Sequence, residues 1–238
     1  YDNAGRQILA VDSEGYVTKY SYDDLGRLIT EHRYADIKID VASLPEKLTM
    51  SSLTLTESDD DRKTQYFYDE MGREVVTISP DQSVVEKVYD DFGRLENTIA
   101  YANPFSSAGG VVGGRMTQAL REALDDIESD DDRHTSFDYN DRGELTSKVD
   151  AFGRIERTTY DAYGNRLESI ENDGDPLVRK TIRVFDKRGQ LTSETIGVDS
   201  DNEITQRFTY DGYGNQLSLV DPRGGELAEK NSDWAIYE

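Results

Sequence analysis

One short unit recurs along this chain, and that recurrence constrains the fold more than any other feature. The pattern Tyr-Asp-x-x-Gly-Arg is complete at Tyr1–Arg6, at Tyr22, Asp23, Gly26 and Arg27, at Tyr68, Asp69, Gly72 and Arg73, and at Tyr89, Asp90, Gly93 and Arg94. Looser copies begin at Tyr139 (Asn140, Gly143), Tyr160 (Asp161, Gly164), Phe185 (Asp186, Gly189) and Tyr210 (Asp211, Gly214). The glycine stands four residues after the aromatic in all eight. Start-to-start steps are 21, 46, 21, 50, 21, 25 and 25 residues, so the base step is 21 and two steps carry long insertions. A chain built this way buries its surface by stacking neighbouring copies.

The residue types define the turn. An aspartate at its first position can bond backbone N–H groups two residues on. A glycine at its end supplies positive φ without steric cost. Together they predict a type I turn closed by a glycine bulge, a common antiparallel hairpin connection. A second turn lies midway in the base step: Asp12–Gly15, Ser79–Gln82, Asp150–Gly153 and Asp221–Gly224 each begin seven residues past a repeat glycine. Between turns the residues alternate as strands do. Tyr16, Thr18, Tyr20 and Tyr22 share one face, and Val17, Lys19 and Ser21 the other. Tyr66, Phe137 and Phe208 each precede a repeat tyrosine by two residues, placing paired rings about 7 Å apart on one face. These rings are expected to build an aromatic ladder.

A longer period is also present. Tyr34-Ala35 is followed by Ser58-Asp59-Asp60-Asp61-Arg62, and Tyr101-Ala102 by Ser129-Asp130-Asp131-Asp132-Arg133. The expected organisation is a single array over 1–238, in modules of about 1–67, 68–138 and 139–238. Helical insertions are expected near 44–50 and 117–128. In the second, Leu120, Ala123, Leu124 and Ile127 have helical spacing and Thr117 suits the N-cap. Asp125, Asp126 and Glu128 oppose the helix dipole, so its end should fray. The fold class is all-β: repeated antiparallel hairpins in a curved or spiral sheet, with short helical insertions covering an open face or edge.

Composition narrows function. Acids outnumber bases 49 to 27, for a formal charge of −22. That balance opposes nucleic acid and anionic membrane surfaces, and no apolar run approaches spanning length. Cysteine is absent, which excludes disulfides, zinc–thiolate centres and thiol nucleophiles. The two histidines, His32 and His134, lie amid polar strand residues, where a structural role is expected. Nothing resembles a nucleophile elbow. The glycine-rich 107–115 stretch lacks the lysine and hydroxyl of a phosphate loop and reads as a connector. Acidic runs at Asp59, Asp60 and Asp61, at Asp130, Asp131 and Asp132, and at Asp199, Asp201 and Glu203 offer hard oxygen ligands for Ca²⁺. They lack the loop of an EF-hand, so weak Ca²⁺ binding at most, and otherwise no cofactor, is expected. The tyrosine face could stack on sugars; packing between strands is the reading favoured here.

The eight copies in register give the chain a strong resemblance to the YD-repeat or Rhs family. It covers nearly all residues apart from the insertions and the tail after Gly225. In bacterial Rhs and insecticidal Tc proteins such repeats spiral into a hollow β-shell around a C-terminal toxin. The resemblance implies a non-enzymatic wall segment of a large bacterial protein, secreted or at the cell surface. Its partners would be the rest of its own shell and an encapsulated toxin domain. A carbohydrate-binding adhesin module, with surface glycans as partners, is the alternative. The family's closing core motif and a following toxin domain are not found in the sequence. Because Tyr1-Asp2 opens inside a repeat, the chain is expected to be a piece of a longer array.

Overall fold

The computed structural model describes residues 1–40, 53–106, 112–174, 176, 178–198, 200, 203–220 and 236–237. Among the described residues it is a mostly antiparallel β-structure with one short helix, in two compact units, Tyr1–His134 and Thr135–Glu238. In the first unit the strands are β1 (Leu9–Val11), β2 (Tyr16–Tyr22), β3 (Leu28–Lys38), β4 (Arg62–Tyr68), β5 (Glu74–Ile78), β6 (Val84–Tyr89) and β7 (Leu95–Ala100). Each pairs antiparallel with the next. The two-residue β8 (Gly114–Arg115) pairs in parallel with the end of β4. The second unit begins within β9 (Arg133–Tyr139). It continues through β10 (Leu145–Val149), β11 (Ile155–Tyr160), β12 (Arg166–Asp173), β13 (Arg179–Phe185), β14 (Leu191–Ile196), β15 (Ile204–Tyr210), β16 (Gln216–Val220) and β17 (Ile236–Tyr237), again each pairing with the next.

The repeat turn joins β2 to β3, β4 to β5 and β6 to β7. Its register shifts fall at the tyrosine, between Ser21 and Tyr22, Phe67 and Tyr68, and Val88 and Tyr89. The extra residue is accommodated by the glycine, at φ +83° in Gly26 and +81° in Gly93. At the second turn of β5–β6, Gln82 takes the same left-handed conformation, φ +67°. The tips of the repeat turns expose Leu25, Met71 and Phe92.

The first unit holds the core. Phe67 lies opposite Val76, and Ile78 opposite Val84, all wholly buried. The helix α1 (Gln118–Asp125) adds Leu120 and Leu124, while Phe105 and Ile127 close the cluster. The wholly buried side chains of β2 and β4 are Val17 and Phe67, one residue out of step with the tyrosines. The core is thus filled by aliphatic and Phe side chains that lie between the repeat tyrosines.

The helix starts where the sequence placed it, with Thr117 Oγ1 accepting the Leu120 N–H at 3.2 Å. It ends at Asp125, because its last turn carries no base to meet the carbonyl end of the dipole. The insertion expected near 44–50 lies outside the described residues.

The second unit is held differently. Thr181 is its one buried residue among the described residues, and the hydrophobic cluster has no member in it. Its strands are cross-linked by side-chain pairs instead: Lys148–Glu156, Lys180–Glu168, Arg183–Glu194, and the hydroxyls of Thr195 and Thr205 at 3.0 Å. Such pairs each contribute a few tenths to about 1 kcal/mol, so stability rests on neighbouring strands rather than on a core.

Candidate functional site

The repeat-defining residues form a joint between one hairpin and the next. Within a turn, Asp23 Oδ1 accepts the N–H groups of Leu25 and Arg27 at 3.0 and 2.9 Å, while Oδ2 accepts Arg27 Nε at 2.7 Å. Asp69–Arg73 and Asp90–Arg94 repeat this, with Nε–Oδ2 distances of 2.6 Å. In the turns of Arg6, Arg27 and Arg73 the arginine, held by its aspartate, faces the following repeat, while Arg94 lies over Phe92 of its own turn at 4.9 Å. Arg6 lies over the Tyr22 ring at 4.8 Å, Arg27 over Tyr68 at 4.5 Å and Arg73 over Tyr89 at 4.4 Å. Each tyrosine answers with its hydroxyl, donating to a carbonyl just past the previous turn: Tyr22 to Gln7 (2.8 Å), Tyr68 to Leu28 (2.7 Å) and Tyr89 to Glu74 (3.0 Å). In the second unit Tyr160 reaches Leu145 and Tyr210 reaches Leu191 in the same way. The repeat glycine contributes space: a Cβ on Gly93 would stand 3.3 Å from Arg73 Nη1. So Tyr, Asp, Gly and Arg form one device, and its ring partners are guanidinium groups.

Burial alone would push the Asp23, Asp69 and Asp90 carboxyls up; the hydrogen bonds and charge of their arginines hold them below the ordinary carboxylate range. Asp61 and Asp132 are depressed likewise, burial again being outweighed by backbone N–H donors. A carboxylate whose folded pKa lies below its unfolded value near 3.8 stabilises fully above that value. The contribution is lost as pH falls through the folded values. Urea midpoints should therefore be flat from neutral pH to about 5 and fall steeply below 3.8. A midpoint unchanged at pH 2 would contradict this assignment.

The two aspartate triplets, weak Ca²⁺ candidates by sequence, are divided between solvent and protein. Asp59, Asp60, Asp130 and Asp131 are exposed, but the third member of each turns inward. Asp61 Oδ1 accepts the Ala35 N–H at 2.8 Å and the Ser58 hydroxyl at 3.2 Å; its Oδ2 meets His32 Nε2 at 2.8 Å. His32 is buried and stacks on Tyr34. Asp132 binds the Ala102 N–H at 2.8 Å and the Ser129 N–H and hydroxyl at 3.1 Å. Each triplet thus clasps a Tyr-Ala pair, inside β3 for Asp61 and just past β7 for Asp132. Glu203 is exposed, and Asp199 and Asp201 lie outside the described residues. Among the described residues no group of three or more His, Cys, Asp or Glu is placed to hold a metal. The expected weak Ca²⁺ binding predicts at most a small rise in melting temperature between chelator and several millimolar CaCl₂. A rise of many degrees specific to Ca²⁺ over Mg²⁺ would show a structural site.

A second polar cluster fixes the helix to the sheet. Buried Glu86 meets Arg121 Nη1 and the Tyr101 hydroxyl, each at 2.6 Å. Burial and the Glu86 carboxylate push the Tyr101 hydroxyl well above the ordinary phenol range. His134 is exposed.

Residues 1–36 and 139–176 match the family model described as RHS Repeat. No curated protein matches. Among solved structures the chain is similar to TcdB2-TccC3-TEV, with 17% identity and a TM-score of 0.48, over 92% of this chain and 11% of that one. A Photorhabdus luminescens Tc holotoxin pore gives 16% identity and 0.48 over the same shares. A porin-like protein from Bacteroides uniformis gives 13% and 0.34, over 90% of this chain and 87% of that one. The chain spans about a ninth of the Tc chains it resembles.

Proposed function

We propose that this chain, an array of Rhs repeats, is a wall segment of a larger bacterial secreted or cell-surface protein, with no catalytic role, whose sheet encloses a toxin domain C-terminal to it. The observation that carries the reading is the joint. At Tyr22, Tyr68 and Tyr89 the ring, the turn aspartate and the arginine are all committed to joining neighbouring hairpins. A protein that invests its recurrent Tyr, Asp and Arg in holding successive hairpins together is built as a continuous surface. Strong acidity keeps such a surface hydrated and apart from nucleic acid. No helix among the described residues is long and apolar enough to cross a membrane.

The glycan-binding alternative would need open rings with free hydroxyls. The rings of Tyr22, Tyr68 and Tyr89 are each covered on one face by a guanidinium, and their hydroxyls donate to backbone carbonyls. A glycan array with the chain and its Tyr→Ala variants would favour that alternative only if specific binding appears and disappears with the rings. The wall reading is tested on the full-length protein by limited proteolysis. The segment following the array should survive protease while the array is folded, and be digested once array joints are broken by Arg27→Ala and Arg73→Ala together. Digestion of that segment in the intact folded protein would overturn encapsulation.

A further inference from the structure

The joint is not filled alike at every repeat. At Tyr22, Tyr68 and Tyr89 the arginine of the preceding turn lies on the ring and bonds its own aspartate. At Tyr160 the preceding turn supplies Arg142, whose Nη2 reaches the Asp161 carbonyl at 2.6 Å. In the turns at Asp161 and Asp211, asparagine takes the arginine's place and still donates to Oδ2 of its aspartate, at 2.8 and 2.9 Å. The turn before Tyr210 departs from all of these. Its sixth residue is Gln190, and the Gln190 amide donates to the Gly214 carbonyl at 3.3 Å rather than to Asp186.

Two groups are left over at this joint. Asp186 Oδ1 accepts the N–H groups of Arg188 and Gln190 at 2.8 and 3.0 Å, but Oδ2 has no donor among the described residues. Nor does any described cation lie over the Tyr210 ring, although its hydroxyl makes the usual bond to Leu191 at 2.9 Å. Between the two turns is a cleft of about 430 Å³, lined by Asp186, Gln190, Thr192, Phe208 and Tyr210. Arg188 and Asp211 also border it. Arg188 donates to the Gly212 carbonyl at 2.9 Å, and the Asp211 carboxylate accepts from the N–H groups of Tyr213 and Asn215 on Oδ1 and from the Asn215 amide on Oδ2.

We propose that this cleft is a binding site for a guanidinium group, the side chain of an arginine presented by another stretch of polypeptide. The chain itself displays the bound geometry three times, as a planar cation between a turn aspartate and the next tyrosine ring. Here the aspartate and the ring persist and the arginine does not. A planar fork suits the place: it can donate to Asp186 along its edge while its face lies on Tyr210, which a lysine ammonium cannot do.

The test is an NMR titration of the chain with N-acetyl-arginine amide, with N-acetyl-lysine amide alongside. Saturable shifts confined to the Asp186–Gln190 and Phe208–Asp211 signals are expected from the arginine compound and not from the lysine one. Gln190→Arg should fill the cleft in cis, abolish those shifts and raise the melting temperature. Equal responses to both compounds, no saturable response, or shifts that survive in Gln190→Arg would overturn the proposal. Tighter binding of free arginine than of its blocked form would overturn the polypeptide source and assign the cleft to the amino acid.

Discussion

Asp61→Ala should lower stability by about 3 kcal/mol or more, among the largest losses any single side chain here can produce. The substitution removes a buried carboxylate that accepts from Ala35, Ser58 and His32 together. Buried His32 and the half-buried Ala35 and Ser58 donors would lose their acceptor, and an unmade buried hydrogen bond costs more than a made one contributes. Asp132→Ala, which loses Ala102 and Ser129 but no histidine, should cost about 2 kcal/mol. Asp61→Asn keeps an accepting oxygen and should fall between that loss and wild type. Urea unfolding at neutral pH measures all three. A loss under about 0.5 kcal/mol for Asp61→Ala, typical of surface sites, would return the triplet to the status of a solvated loop.

Gly113→Ala should be as damaging, on the order of 3 kcal/mol, for a steric reason. A Cβ there would stand 1.8 Å from the Ile29 carbonyl oxygen and 3.0 Å from that of Tyr66. Both obstacles are backbone, so relief requires moving a strand. The next residues carry the parallel pairing of β8 to β4, and the Met116 N–H donates to the Tyr68 carbonyl at 2.8 Å. The segment should peel away, and the Met116 amide should exchange rapidly with solvent. Gly5→Ala is the comparison: its Cβ would meet nothing within 4 Å, leaving only the strain of φ +78°. That should cost about 1 kcal/mol. Equal losses at the two glycines would mean that close approach at Gly113 does not matter.

The turns were legible because their chemistry is local. Asp, Gly and Arg within six residues specify the hairpin, and alternation specifies the strands beside it. The helix was legible for the same reason, since Thr117 and the Leu120–Leu124 spacing act within two turns. What the pattern did not reveal was the partner of each arginine. Arg27 meets Tyr68 across an insertion, so no local rule could pair them. The inward turn of Asp61 and Asp132 is not legible in the acidic runs themselves, because charged runs are ordinarily solvated. The signal was present in the shared order of motifs, a Tyr-Ala pair followed by Ser-Asp-Asp-Asp-Arg, which recurs although Ala35 and Asp61 are 26 residues apart and Ala102 and Asp132 are 30 apart. The glycine run read as a connector because a glycine's close approach to backbone leaves no trace in sequence; its end is the β8 wedge. The cleft at Tyr210 follows from Gln190, a change visible in sequence but meaningless until the joint is known.

The central claim is that the repeat turn acts on the following repeat, not only on itself. A double-mutant cycle between Arg27 and Tyr68 measures this directly, using Arg27→Gln, Tyr68→Leu and the double variant in urea unfolding. A desolvated guanidinium on a ring predicts a coupling of about 1 kcal/mol or more. The same cycle between Arg27 and Tyr89, one joint further on, should add to within about 0.3 kcal/mol. Additivity between Arg27 and Tyr68 would contradict the claim and reduce the motif to a self-contained turn.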